Sequence, residues 1–319
     1  LVGPIRTIRV SGMVFIKREG RYSTAHVYEN ALLSFRGFCG TPTVSFGQVT
    51  REHLRCYGQY LYERGLKLNT VSTYMRMLRS IYNRGVESGR APYVHRLFHG
   101  VYTGVDVRQK KALPATELHK LLYGDPKSDI LRRTQAIAAL MFQFCGMSFA
   151  DLAHLEKSSL DRNVLHYNRV KTKTPMSVEI LDTAKDMIYQ LQNRKPALQD
   201  CPDYLFSILN GNKKRKDESA YREYQSALRN FNNHLRGLAK ALHLTSPVTS
   251  YTIRHSWATT AKYRGVPIEM ISESLGHKSI KTTQIYLKGF ALKERTEVNR
   301  MNLSYVKNCL EKSVNNIKY

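Results

Sequence analysis

Acidic side chains are in short supply in this chain: its 319 residues carry 25 Asp and Glu against 50 Lys and Arg, a formal charge of +25. An excess of that size repels itself unless the working partner is a polyanion, which makes nucleic acid the first candidate. The imbalance is spread along the chain, with 15 basic and 6 acidic side chains in residues 1–107 and 35 and 19 in residues 108–319. Both halves can therefore face one phosphate backbone. Cysteine is scarce as well. Cys39, Cys56, Cys145, Cys201 and Cys309 form no C-x-x-C pair and no spacing suited to zinc, and an odd number argues against a secreted disulfide framework. No metal or other cofactor is expected, and a reducing cytoplasm is the expected compartment. Long apolar runs are missing too: nothing approaches the roughly 20 residues of a membrane span, and no basic-apolar-small signal opens the chain. The first residue is Leu1 rather than Met, which leaves the native start open.

What is present is a composition with 42% apolar residues over a length suited to two ordinary domains, each able to bury a core. Residues 23–38 place Val27, Ala31, Leu32, Phe35 and Phe38 on one helical stripe, with Ser23 or Thr24 as the cap. Thr50 caps a second helix whose inner face is Leu54, Tyr57 and Leu61 and whose stop is Gly65. Asn69 caps a third, with Val71, Tyr74, Leu78, Ile81 and Tyr82 inward and Arg76, Arg79 and Arg84 pointing elsewhere. These three predict a small helical module with an arginine-bearing surface. Between about 100 and 115 periodicity is lost while glycine and charge accumulate, as in a linker, and a new helix opens near Pro114 and Thr116. "ILRRTQAIAALMFQFCG" is a largely buried helix ending at Gly146, and "SFADLAHL" follows with Ser148 as its cap. The period then changes: "VLHYNRVKTKTPMSVEIL" alternates and predicts a two- or three-stranded sheet with Lys171 and Lys173 in its loop. Helices resume at about 182–194, 219–242, 252–264 and 268–274, and "LSYVKNCLEKSVNNI" is a final amphipathic run.

Three pieces of the second half belong together: "NRVKTKT", "SYTIRHSWATTA" and "LGHKSIKTTQIYLKG". Arg254 is followed 23 residues later by His277 and 32 later by Tyr286. This order and spacing strongly resembles the C-terminal boxes of tyrosine recombinases, the phage-integrase family, and the N-terminal helices look like that family's core-binding domain. The resemblance implies that Tyr286 attacks a DNA phosphate to give a 3′-phosphotyrosyl link, with Arg254 and His277 on the phosphate and Lys171 protonating the leaving 5′ oxygen, without ATP or metal. Lys171 is also placed simply to contact a phosphate. The chemistry suits the residues. A phenol with a pKa of about 10 is a poor nucleophile unless neighbouring cations or a base favour the phenolate, and arginine's planar fork bonds two phosphate oxygens while keeping its charge.

Two positions depart from the family pattern. Where the first family arginine is expected, "GMSFADL" offers Ser148, a residue equally suited to capping a helix. Arg169 is the candidate substitute, because it lies two residues before Lys171 and strand periodicity would put both on one face. Three residues before Arg254, where the family has His or Lys, stands Tyr251, which can hydrogen-bond a phosphate but is no cation. His255 supports the site from behind or touches it, and Trp257 reads as core. Arg76, Arg79, Lys173 and the run Lys213, Lys214, Arg215, Lys216 are candidate DNA contacts.

The fold expected is mainly α with a small antiparallel sheet: a helical SAM-like core-binding domain over 1–105 and a catalytic domain over 113–319. The expected function is site-specific DNA recombination of the integrase or invertase type. A catalytically impaired architectural or regulatory DNA-binding protein of the same fold, or a type IB topoisomerase-like enzyme, are the alternatives. Implied partners are duplex DNA, further copies of the chain in a tetramer on DNA, with the final helix reaching a neighbour, and accessory DNA-bending proteins. The setting implied is a nucleoid-associated, prokaryotic or mobile-element one.

Overall fold

Apolar residues at helical spacing turn most of this chain into helix, and one alternating stretch becomes its sheet. The computed structural model describes residues 17–106, 112–193, 204–209, 217–287 and 296–304. Contacts divide the chain into two compact units, Leu1–Arg108 with Pro196–Asn230 and Gln109–Lys195 with Phe231–Tyr319.

In the first unit α1 (Tyr22–Cys39), α2 (Arg51–Glu63) and α3 (Leu68–Glu87) enclose a core of Leu32, Phe35, Leu54, Tyr57, Leu61, Val71, Met75, Leu78 and Tyr82. Tyr57 meets Phe35 edge-on, with ring centroids 5.0 Å apart and planes at 76°, the geometry aromatic quadrupoles favour. The Thr50 side chain accepts from the His53 N–H at 3.1 Å, as a β-region N-cap should. The other two caps fall elsewhere. α1 follows Arg21 with no side-chain cap, so neither Ser23 nor Thr24 serves, and Tyr28 rather than Val27 turns inward, where its hydroxyl meets Ser80 Oγ at 2.7 Å. Asn69 lies inside α3, whose N-cap is Lys67; its amide instead donates to Asp106 O at 2.7 Å and accepts from Asp106 N at 2.8 Å. That pair of bonds pins residue 106 to the helix. Arg76, Arg79 and Arg84 are exposed, and Arg84 lies over the Tyr28 ring at 5.8 Å.

The second unit contains α4 (Ala115–Tyr123), α5 (Asp129–Gln143), α6 (Phe149–Ala153), β1 (Leu160–Asp161), β2 (Val164–Asn168), β3 (Pro175–Glu179), α7 (Asp182–Asn193), part of α8 (Glu218–Ala241), α9 (Ser250–Tyr263), α10 (Ile268–Ser274) and α11 (Ile280–Tyr286). The strands form one antiparallel sheet in the order β1-β2-β3, with Leu165 opposite Val178 on its buried face. α5 stops at Gln143, three residues short of the predicted end, and α9 begins earlier than predicted, after a Thr249 capping box. Phe149 stacks on Phe231 at 4.5 Å. Trp257 packs on Ala258, Ile271 and Leu275, as expected of a core residue, and Leu287 joins the same cluster.

One expectation about the sheet is corrected. β2 ends at Asn168, and residues 169–174 are a turn closed by Arg169 N–H to Thr174 O at 2.9 Å and Lys173 N–H to Arg169 O at 2.9 Å. Arg169 and Lys171 therefore do not share a strand face: Arg169 is buried and Lys171 exposed. Residues 296–304 are helical, with Leu303 exposed. The rest of the predicted final run and Lys213, Lys214, Arg215 and Lys216 lie outside the described residues. No helix among the described residues is long and apolar enough to cross a membrane.

Candidate active site

The site is built where the α5–α6 turn, the β2–β3 turn, α9 and the α10–α11 connection converge within the second unit. Arg254, on the first turns of α9, is 3% exposed. Its Nη1 donates to Gly146 O at 2.8 Å, and its Nη2 donates to Leu275 O and approaches His277 Nε2 at 3.3 Å. Two glycines permit this close approach. Gly146 has φ +67°, and a Cβ there would meet Trp257 Cβ at 3.1 Å and Arg254 Cα at 3.4 Å. Gly276 has φ +61°, and a Cβ there would lie 2.5 Å from Arg169 Cδ and 2.6 Å from Met176 Sδ. Only glycine offers both the left-handed backbone and the missing volume.

Arg169 is held from two sides. Its Nε donates to Asp151 Oδ2 at 3.3 Å and its Nη1 to Gly276 O at 2.9 Å; Nη2 has no partner among the described residues. Asp151 is nearly sealed, and its carboxylate also accepts the Ser148 hydroxyl at 2.7 Å and the Val170 N–H at 2.7 Å. Ser148 in turn accepts from the Asp151 N–H as the N-cap of α6. Its hydroxyl is thus engaged with its own helix start, while the turn arginine extends towards His277. Breaking a buried ion pair by removing one partner costs about 3–5 kcal/mol. Asp151→Ala is accordingly expected to lower unfolding stability by about that much, measured by urea titration; a loss below about 1 kcal/mol would contradict the buried pair.

His277 reports on the charges around it. Its pKa falls from the ordinary 6.5 to about 4, first because burial disfavours the charged ring and then through Arg254, Arg169, Lys171 and His255. The unfolded chain takes up the proton near pH 6.5 and the folded chain only near pH 4, so the unfolded state binds more protons between those values. Stability attributable to this ring is whole above pH 6.5 and lost as pH falls towards 4. The urea midpoint should therefore drop between pH 7 and pH 5, and His277→Gln should flatten that drop; an unchanged slope in the variant would refute the assignment.

The remaining candidates take varied positions. His255 is buried on α9, and Tyr251, one turn earlier, is half exposed with its ring 6.0 Å from the His255 ring. Lys171 and Lys173 are exposed on the β2–β3 turn. Tyr286 is the last residue of α11; its side chain lies outside what the structure describes. Arg254, His277, Arg169, Lys171 and His255 are thus brought together, whereas Arg76 and Arg79 belong to the first unit. Three residues were not singled out from the sequence. Asp151 carries a faint signal, an acid three residues after a serine cap. Tyr167 sits among the same charges, its phenol pushed up by burial and then by Asp151. Thr283 is fully buried, with Oγ1 2.9 Å from His277 Nδ1, and nothing in the sequence marks it. Among the described residues no group of three or more His, Cys, Asp or Glu side chains is placed to hold a metal.

A sequence profile described as "Phage integrase family" matches residues 111–291, more than half of the chain, and one described as "Phage integrase SAM-like domain" matches residues 14–95. The chain belongs to the phage integrase family. It is a tyrosine recombinase, an enzyme of site-specific DNA recombination. The tyrosine recombinase XerD of Listeria innocua is 25% identical over 276 residues, covering 83% of this chain and 87% of that protein. The fold of this recombinase is similar to that of XerH site-specific recombinase bound to difH substrate in a pre-cleavage complex, with TM-score 0.62 and 17% identity over 87% of this chain and 81% of that one. It is also similar to that of lambda integrase in a tetramer bound to a Holliday junction, with TM-score 0.57 and 16% identity over 81% and 72%.

Proposed function

We propose that this recombinase cleaves and rejoins duplex DNA through Tyr286, with Arg254, Arg169 and His277 on the scissile phosphate and Lys171 as proton donor. One observation carries the reading: guanidinium groups from two separate elements converge beside His277, Arg254 of α9 with Nη2 3.3 Å from its Nε2 and Arg169 of the β2–β3 turn with Nη1 2.9 Å from Gly276 O, nine residues before Tyr286. The Tyr286 phenolic oxygen bonds to phosphorus as the bond to the 5′ oxygen breaks. The phenol gives its proton to solvent water, Lys171 gives one to the 5′ oxygen and is reprotonated from solvent, so protons and bonds balance, and the ester energy stays in the 3′-phosphotyrosyl link. Preorganised positive donors that meet charge only as it develops are the strongest electrostatic contribution such a site can make.

Arg169 supplies the charge that Ser148 lacks. It is fixed by Asp151 and Gly276 O and keeps Nη2 for a phosphate oxygen. Tyr251 offers a hydroxyl near that phosphate, and His255 backs Arg254. Arg76, Arg79 and Lys173, with Lys213 and Lys214, hold the phosphate backbone along the duplex, where charge neutralisation supplies sequence-independent affinity. Residues 1–105 act as the core-binding domain and 113–319 as the catalytic one. The lambda integrase tetramer on a Holliday junction supports several copies acting together on DNA; four copies around two duplexes, docking of the end of the chain on a neighbour and assistance by accessory DNA-bending proteins belong to the same proposal.

The test is incubation with suicide duplexes, nicked so that the 5′ end escapes, followed by denaturing gels. A denaturant-stable adduct at a defined site is the expected result. Binding without adduct would mean an architectural protein, and relaxation of supercoils without site preference would mean a topoisomerase.

A further inference from the structure

We propose that Thr283 is a positioning residue whose hydroxyl exchanges acceptor for donor at His277 Nδ1, freeing Nε2 to serve the phosphate while tying the Tyr286 helix to that imidazole. The proposal rests on the catalytic reading above. Thr283 is fully buried one helical turn before Tyr286, and its Oγ1 lies 2.9 Å from Nδ1.

The direction of that bond follows from the other side of the ring. Arg254 Nη2 lies 3.3 Å from Nε2, and a guanidinium has donors only, so Nε2 accepts. The neutral ring then carries its proton on Nδ1, and Thr283 Oγ1 accepts it. A phosphodiester at neutral pH only accepts. For His277 to bond it, Nε2 must hold the proton, and a neutral ring can arrange this only if Nδ1 finds a donor instead. A hydroxyl provides one by rotating, because it has one O–H and two lone pairs. A backbone carbonyl at the same place would lock Nδ1–H, and an ammonium would lock the opposite tautomer. The partner of one ring nitrogen thus sets what the other can do. Because the partner sits on α11, the bond also couples the imidazole to the element that presents the tyrosine.

Thr283→Val keeps the branched shape and removes the hydroxyl; Thr283→Ser keeps the hydroxyl and removes the methyl. Two readouts apply, the 15N resonances of the His277 ring in the full chain and the single-turnover rate of adduct formation on the suicide duplex that the wild type cleaves. Without DNA, the wild-type ring should show the proton on Nδ1. Thr283→Val should keep the proton on Nδ1, which Arg254 dictates, but leave it without its acceptor, shifting the Nδ1 resonance and slowing adduct formation by about 10- to 100-fold at saturating DNA, the scale on which partners of metal-bound imidazoles matter, with affinity unchanged. Thr283→Ser should restore both. Wild-type speed in the valine variant, a serine variant as slow as valine, or a wild-type ring protonated on Nε2 without DNA would each overturn the proposal, and the last needs no variant to fold. Absence of any wild-type adduct would instead sink the catalytic reading, while the Nδ1 resonance still decides whether Thr283 accepts from the ring.

Discussion

Tyr286→Phe is expected to abolish the covalent adduct and to leave binding to the same duplex intact. The substitution removes one oxygen and nothing else, so whatever packing the ring makes is retained. If that oxygen is the nucleophile, no neighbouring group replaces it: the nearby phenol of Tyr167 is pushed further from ionisation by burial and by Asp151, and Ser148 Oγ is held by Asp151. The effect expected is loss to the detection limit rather than slowing, since the covalent route has no partial form. Affinity should hold because phosphate contacts from Arg and Lys dominate it. A persistent adduct in the phenylalanine variant would place the nucleophile elsewhere and remove the basis of the mechanism.

Arg169→Ala is expected to slow cleavage by roughly 100- to 1,000-fold with a modest loss of affinity, the scale on which a single oxyanion donor matters. One cation among the 50 of the chain contributes little to holding a duplex, whereas on the proposed mechanism a guanidinium beside His277 and Arg254 would act where charge builds during the displacement. The variant also leaves Asp151 short of its ion pair, so a thermal melt belongs beside the rate. Arg169→Lys discriminates further. A lysine bonds Asp151 or Gly276 O as a point charge, but cannot hold both and still present a third nitrogen, so its rate should stay well below wild type. Near-normal cleavage in the alanine variant would leave the charge missing at Ser148 without a substitute.

Much of this architecture is readable from the residues, and the failures have physical causes. The helices of the first unit follow from apolar spacing, and Thr50 caps as its side chain dictates. Ser23, Thr24 and Asn69 are all competent caps that do not cap, because the helices start before them and, for Asn69, because Asp106 offers both of its backbone groups at once. That partner is 37 positions away and leaves no local trace. The site was legible as a set of residue types at fixed spacing, but not as geometry. Period-2 reasoning put Arg169 on a strand face with Lys171, whereas the strand ends at Asn168 and the arginine turns inward to Asp151. Thr283 was invisible because threonine is ordinary in a polar stretch; only burial and a distance mark it.

The segment ending in Tyr286 has seven helical residues, whereas isolated helices in water need about 12–15 to hold themselves. It therefore persists through what it is fastened to: the Thr283 hydroxyl on His277 and Leu287 in the Trp257 cluster. Loosening those fastenings would unravel a turn and withdraw the tyrosine while the guanidinium groups stayed where they are. On the proposed mechanism, readiness to react then becomes a matter of local melting, with the phosphate cradle left standing.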